Sequence, residues 1–141
     1  MKKLLTILAL ALGVSVNAQT GNTSTGTDAL YFNTTGDYNT ATGEGAMLNN
    51  IGGDANTASG YQALYFNENG SYNTASGSYA LFANITGYNN TASGRGSLYS
   101  NTTGSNNTAT GYKSLNLNTT GGNNTASGYY ALLNNTEGNY N

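Results

Sequence analysis

The sequence predicts an all-β chain wound as a parallel β-solenoid, a β-roll of seven short coils, and three observations predict it. The string Asn-Thr-Ala-Ser/Thr-Gly begins at Asn39, Asn56, Asn73, Asn90, Asn107 and Asn124, with a variant differing at one position at Asn22, all on a strict period of 17. Leu or Met stands at the ninth position of every unit, and Asn at the twelfth. The composition suits corners and stacked columns, with 24 Asn, 21 Thr and 20 Gly among 141 residues and no Pro. A fixed short period held without insertion marks a repeat architecture in which each unit stacks on its neighbour. Disordered Asn-rich chain has no need of such register.

Residues 1–18 stand outside the repeat. Lys2 and Lys3 precede an apolar run from Leu4 to about Val16, and Val16-Asn17-Ala18 reads as a small-residue cleavage site. That layout is a secretory signal peptide, cleaved after Ala18. The apolar run from Leu4 to Val16 is too short for a membrane helix, which needs roughly 20 residues. Residues 19–21 form a short lead, and 22–141 form the repeat domain, in which Asn141 opens an eighth unit. The expected destination is extracellular or the bacterial cell surface, with no membrane span after the signal is removed.

Within each unit the consensus is N-T-A-S/T-G-x-x-A/S-L-x-x-N-x-x-G-x-x. Helical repeats need roughly 30 residues or more, and Asn, Thr and Gly are poor helix formers. Two short strands and two turns do fit in 17. The Asn-Thr-Ala-Ser segment reads as the first strand and the x-Ala-Leu-x-x segment as the second. The fifth-position Gly turns the corner between them, and Asn-x-x-Gly supplies the other turn; Gly and Asn suit both because they tolerate positive φ. Because 17 is odd, a continuous strand would reverse its inward face at each coil, so the corners must reset the alternation. Coils about 4.8 Å apart give seven of them an axial length of about 30 Å.

The columns then become ladders. Leu30, Met47, Leu64, Leu81, Leu98, Leu115 and Leu132 form the core row. The Ala column from Ala41 to Ala126 faces it, and Asn at the first and twelfth positions bonds coil to coil through stacked amides. Thr23, Thr40, Thr57, Thr74, Thr91, Thr108 and Thr125 form a hydroxyl ladder, with Ser or Thr two positions on making a parallel row on the same face. Tyr31, Tyr65, Phe82 and Tyr99 directly follow the core row and must point the other way. One Leu and one aromatic per unit do little against the entropy of ordering a whole coil, so further cover from another chain is expected.

The unit A-S/T-G-x-x-A-L after a polar Asn-Thr resembles the head repeats of trimeric autotransporter adhesins of the YadA-like type. It is also similar to N-T-A-x-G-x-x-A-L-x-x-N-T-T-G arrays of bacterial surface and tail-fibre-like proteins, which Asn90–Asn106 and Asn107–Asn123 match nearly throughout. The resemblance covers about 119 of 141 residues. It implies a left-handed roll, three chains side by side, and adhesion or fibre formation at a bacterial surface. The chain departs from that family in its longer coil and in the hydroxyls of Ser59, Ser76, Ser93, Thr110 and Ser127, where an apolar residue is usual. The family's neck, heptad stalk and membrane barrel do not follow the repeats.

The composition also excludes chemistry. Without His or Cys there is no Ser-His-Asp triad, no thiolate and no imidazole metal ligand, so no enzyme activity and no cofactor is expected. Removing Lys2 and Lys3 leaves two cations, Arg95 and Lys113, against six acids, a side-chain balance of −4. Two scattered cations make no phosphate-binding surface, so nucleic acid is not a partner. The expected partners are further copies of the chain, as trimer or filament, and a host surface, matrix or glycans. The alternative is an ice-binding β-solenoid that uses its Thr and Ser ladders. Asn-x-Ser/Thr sequences at Asn22, Asn33, Asn84, Asn89, Asn101, Asn106, Asn118, Asn123 and Asn134 are what a chain rich in Asn and Thr generates by composition, with glycan attachment as the alternative reading. Gly52-Gly53-Asp54 is no calcium repeat, since no other unit has Gly-Gly-Asp. Neither end shows a capping unit: the end coils pair with another copy, or the sequence is a fragment.

Overall fold

The computed structural model describes residues 19–141, so the expected signal peptide and its cleavage site lie outside the described residues. Within them the all-β parallel solenoid is borne out. Seven strands, β1 (Thr23–Thr25), β2 (Thr40–Thr42), β3 (Thr57–Ser59), β4 (Thr74–Ser76), β5 (Thr91–Ser93), β6 (Thr108–Thr110) and β7 (Thr125–Ser127), form one parallel sheet in chain order. Each step in register is one whole unit, so Thr57 pairs with Thr74 and Ala58 with Ala75. The strand forms where Thr and Ser flank Ala: the hydroxyl residues face out, and only a methyl faces in.

The expected second strand is not one. The x-Ala-Leu-x-x segment is a run of turns, because the seventh and ninth positions both take positive φ. Gln62 (52°), Leu64 (52°), Tyr79 (60°) and Leu81 (51°) show the pattern. Two turns close within each coil, as in Ala46 N–H to the Gly43 carbonyl at 3.2 Å and Asn50 N–H to the Met47 carbonyl at 3.2 Å. Other amides of the segment still reach the adjacent coil, as in Met47 N–H to the Ala63 carbonyl at 2.9 Å. The segment therefore stacks as a hydrogen-bonded ribbon without the uniform peptide orientation of a strand. A Leu held at positive φ costs about 1–2 kcal/mol, and repetition of the same turn in the coils above and below holds it there.

The interior is shared between two kinds of ladder. Met47, Leu64, Leu81, Leu98 and Leu115 are fully buried, opposite an equally buried Ala column. At the ends the row opens: Leu30 is partly buried and Leu132 is 39 % exposed. Asn at the first and twelfth positions fills the remaining interior and is buried from Asn33 to Asn124. From Asn50 to Asn135 each twelfth-position amide donates to the carboxamide oxygen of the preceding coil, as Asn84 Nδ2 does to Asn67 Oδ1 at 2.7 Å. Each first-position Oδ1 accepts the backbone N–H one coil on, as Asn73 Oδ1 does from Asn90 at 3.0 Å. No buried side-chain nitrogen or oxygen among the described residues lacks a partner.

The two Gly columns have different causes, and neither is only a corner. Fifth-position Gly has φ near 130°, as at Gly77 (131°) and Gly94 (133°), and a Cβ on Gly77 would lie 2.8 Å from the Gly94 carbonyl carbon. Fifteenth-position Gly has no positive φ; a Cβ there would meet the Gly carbonyl of the next coil and the twelfth-position carboxamide. The expectation of positive φ at the Asn-x-x-Gly turn is thus corrected: close approach of backbones demands Gly there. The positive φ falls instead at the seventeenth position, on Tyr38, Ala55, Tyr72, Asn89, Asn106, Asn123 and Tyr140.

Gly128, in the last unit, has φ 127° but nothing within 4 Å of where its Cβ would be. Gly77→Ala and Gly128→Ala therefore share the same backbone penalty, while only Gly77→Ala drives a methyl into the next coil. Urea unfolding is expected to show Gly77→Ala as the more destabilising by at least about 1 kcal/mol. Equal losses would show that φ alone sets this column.

Candidate functional surfaces

The sheet presents one regular face, its strands paired in the same register from coil to coil. Thr23, Thr40, Thr57, Thr74, Thr91, Thr108 and Thr125 are all exposed there, as is the Ser/Thr row two positions on. The rows lie about 6.7 Å apart along the strand, with about 4.8 Å between coils. None of these hydroxyls bonds to another group of the chain among the described residues. They do not form a hydroxyl ladder with each other; they face solvent as a two-dimensional array. From Met47 to Leu115 the Leu ladder, by contrast, is fully buried core.

The turn ribbon carries the aromatic side chains that stack on one another. The tenth-position residues expected to point away from Leu do so, although a turn rather than a strand directs them. Tyr65 stacks on Phe82 with ring centroids 5.4 Å apart, and Phe82 on Tyr99 at 5.0 Å and 8°. Phe66 and Tyr79 meet this stack edge-on, and Tyr61 in turn meets Tyr79. The Tyr79 phenol, which faces Tyr61, raises the Tyr61 pKa above the usual phenol value. A second cluster, Tyr112, Tyr129 and Tyr130, has Tyr112 stacked on Tyr129 at 5.3 Å. Between the two clusters lies an open groove of about 320 Å³ lined by Tyr79, Arg95, Gly96, Tyr99, Lys113 and Asn116.

The remaining side of the coil holds a polar column that sequence reasoning missed. The sixteenth-position side chain accepts the backbone N–H one coil earlier: Asp54 from Asp37 at 2.8 Å, Ser71 from Asp54 at 3.0 Å, Ser105 from Tyr88 at 3.1 Å. The available signal was the recurrence of Asp, Ser and Asn in that column. Asp54 is thereby a backbone acceptor in the coil stack. The glycan-acceptor sequences are also sorted by depth. Asn33, Asn84, Asn101 and Asn118 are buried in the amide ladder, whereas Asn89, Asn106, Asn123 and Asn134 are exposed.

Among the described residues no helix is long and apolar enough to cross a membrane, and no group of three or more acidic side chains is placed to hold a metal ion. Comparison with protein-family models, with curated proteins and with solved structures found no match.

Adjacent residues of one coil are expected to respond oppositely to substitution. Thr74→Val removes a hydroxyl with no partner among the described residues and keeps the β-branch, so stability should change by no more than about 0.5 kcal/mol. Asn73→Ala strands the Asn90 N–H and removes a donor to the Gly87 carbonyl, at a cost of about 2–4 kcal/mol. Thermal melting of the two variants checks the assignment; a comparable loss from Thr74→Val would overturn it.

Proposed function

We propose that this chain is a secreted or cell-surface structural and adhesive module, without catalysis, which assembles into trimers or end-to-end fibres. The observation that supports it is where the repeat varies. Inward-facing positions hold the same few residue types in nearly every coil, whereas the outward sixth, seventh, tenth and eleventh positions vary widely, with Tyr, Phe, Leu, Asn, Arg, Lys, Glu, Asp and Gln among them. Such a molecule uses its repetition to hold a shape and its variety to decide what that shape displays. The resemblance to YadA-like head repeats points the same way, as does the leader-like start of the chain.

Assembly has its own support. Phe32, Ile51, Phe66, Ile85 and Leu117 stand exposed at the eleventh and thirteenth positions, on either side of the buried Asn row. An apolar band of this kind along the axis suits a partner lying side by side. End-to-end joining is supported by the stacking mode itself: each inner strand pairs in parallel with the next coil in the same register, a contact that a second copy could repeat. Analytical ultracentrifugation of residues 19–141 is expected to give a trimer or larger species, with micrographs separating discrete trimers from filaments. A stable β-rich monomer at high micromolar concentration would overturn the assembly reading.

Ice binding is the second reading, favoured by the unbonded hydroxyl array on a regular sheet. It expects measurable thermal hysteresis and shaped ice crystals, both lost when Thr57 and Thr74 are replaced by Tyr. A flat hysteresis trace from the unaltered chain rejects it.

A further inference from the structure

We propose that the groove between the fifth and sixth units, Asn90–Asn106 and Asn107–Asn123, binds an acidic saccharide, a pyranose unit bearing a carboxylate. The inference begins with a glycine that the fold does not require. Glycines at the fifth and fifteenth positions are forced by contact with the next coil, but Gly96 is at the seventh. Its φ of 66° is close to the values that Gln62, Tyr79, Lys113 and Tyr130 adopt in the same column with full side chains. A Cβ on Gly96 would meet Asn116 Nδ2 and Lys113 Cγ at 3.4 Å, an ordinary van der Waals distance. The column carries full side chains at this backbone shape in other coils, so the fold does not demand Gly here, and Gly96 lines the groove.

The other glycine of that column shows the difference. Above Gly45 the ring of Tyr65 leans in, 3.4 Å from where a Cβ would be, and fills the gap. The residue in the corresponding place above Gly96 is Asn116, whose Nδ2 is tied back to the Gly96 carbonyl at 2.7 Å. A carboxamide thus stands where a phenol ring stands above Gly45, and the smaller group lines the groove together with Gly96. Asn116 also ends the aromatic stack: Tyr99 is covered by Phe82 on one side and has no ring at the same position of the next coil to cover the other. Tyr79 meets Tyr99 edge-on, 6.3 Å between ring centroids, so the two rings form one aromatic wall of the groove. Two tyrosines at the rim of a groove this size suit the flat apolar face of one sugar ring.

The charge of the ligand follows from the cations. Arg95 and Lys113, the only cationic side chains of residues 19–141, both line this groove. Both sit by the Tyr112 ring, at 5.8 and 5.7 Å from its centroid, and Arg95 also donates to the Tyr112 hydroxyl at 3.4 Å. No carboxylate pairs with either cation among the described residues. The acids stand in other units, at Asp28, Asp37, Glu44, Asp54, Glu68 and Glu137. The groove thus offers a guanidinium, an ammonium, phenol groups and an amide, with no anion to repel a carboxylate or to hold a neutral sugar's hydroxyls.

This inference deepens the adhesive reading, on which it rests, by naming what one outer surface would hold. Calorimetric titration of residues 19–141 with trigalacturonate is expected to give saturable binding, weakened roughly ten-fold for the methyl-esterified trisaccharide, which lacks the charge. Arg95→Gln and Lys113→Gln should each weaken it by roughly the same factor, and Gly96→Gln, a residue the column already carries at Gln62, should abolish it. Glu137→Gln, at a distant coil, should leave it unchanged. No binding at millimolar trigalacturonate, equal binding of the methyl ester, or full binding by a folded Gly96→Gln variant would each overturn the proposal. Inorganic sulfate binding as tightly as trigalacturonate would also overturn it, as a site for any anion. Sedimentation of the same samples separates the two readings: assembly without binding removes the groove's role alone, and binding without assembly removes the fibre alone.

Discussion

Each twelfth-position carboxamide has two hydrogens and two places to put them: the amide oxygen of the coil before, and the carbonyl of the Gly that closes its own turn. Asn67 spans Asn50 Oδ1 at 2.6 Å and Gly70 O at 2.8 Å, and Asn56, from the first position, donates to that same Gly70 carbonyl at 2.8 Å. A buried amide without partners is costly, so a coil that slips by a single position would strand several polar groups at once. Only Asn meets the need. Asp has no hydrogen to donate, Leu has neither donor nor acceptor, and the side chain of Gln is longer by one carbon. The Gly columns follow from this network, since coils held at amide-to-amide distance leave no room for a Cβ on backbone facing backbone. The small Ala column and the single Leu then fill what space remains.

With register fixed from within, the outside is released from structural duty. Among the described residues the hydroxyl rows of β1 to β7 have no bonding partner, and the ribbon tolerates Asp, Gly, Gln, Tyr or Lys at one position with one backbone shape. That separation is what lets a low-complexity sequence carry local detail such as the tyrosine stack and the groove at Gly96. It also explains how a chain with few bulky aliphatic residues holds an ordered interior: polar side chains do much of the filling, and all are satisfied.

Much of this was legible in the sequence because a period of 17 aligns like with like. The parallel register, the buried Leu row, the Ala column and the stacked amides all follow from columns that could be read directly. The second strand failed for a local reason. Positive φ at Leu64 or Leu81 is disfavoured by intrinsic propensity, and nothing in a Leu column announces it; Gly45 and Gly96 at the seventh position were the one trace. The seventeenth position hid its turn in the same way, behind Tyr38, Ala55 and Tyr72, with only Asn89, Asn106 and Asn123 as a hint. The groove was illegible because it depends on a pair far apart in the chain, Gly96 and Asn116, whose meaning appears only when compared with Gly45 and Tyr65.

The amide column has a direction. From Asn50 to Asn135 the nitrogen of the later coil always gives to the oxygen of the earlier one, so the side-chain dipoles add along the axis instead of cancelling. Hydrogen bonds in such a line polarise one another. The solenoid is consequently a vector, with amide hydrogens pointing toward the earlier coils and amide oxygens toward the later ones. Two copies meeting like end to like end would face donors with donors or acceptors with acceptors. Any filament that continues this column must be polar, with two chemically distinct tips that extend and dissolve at different rates.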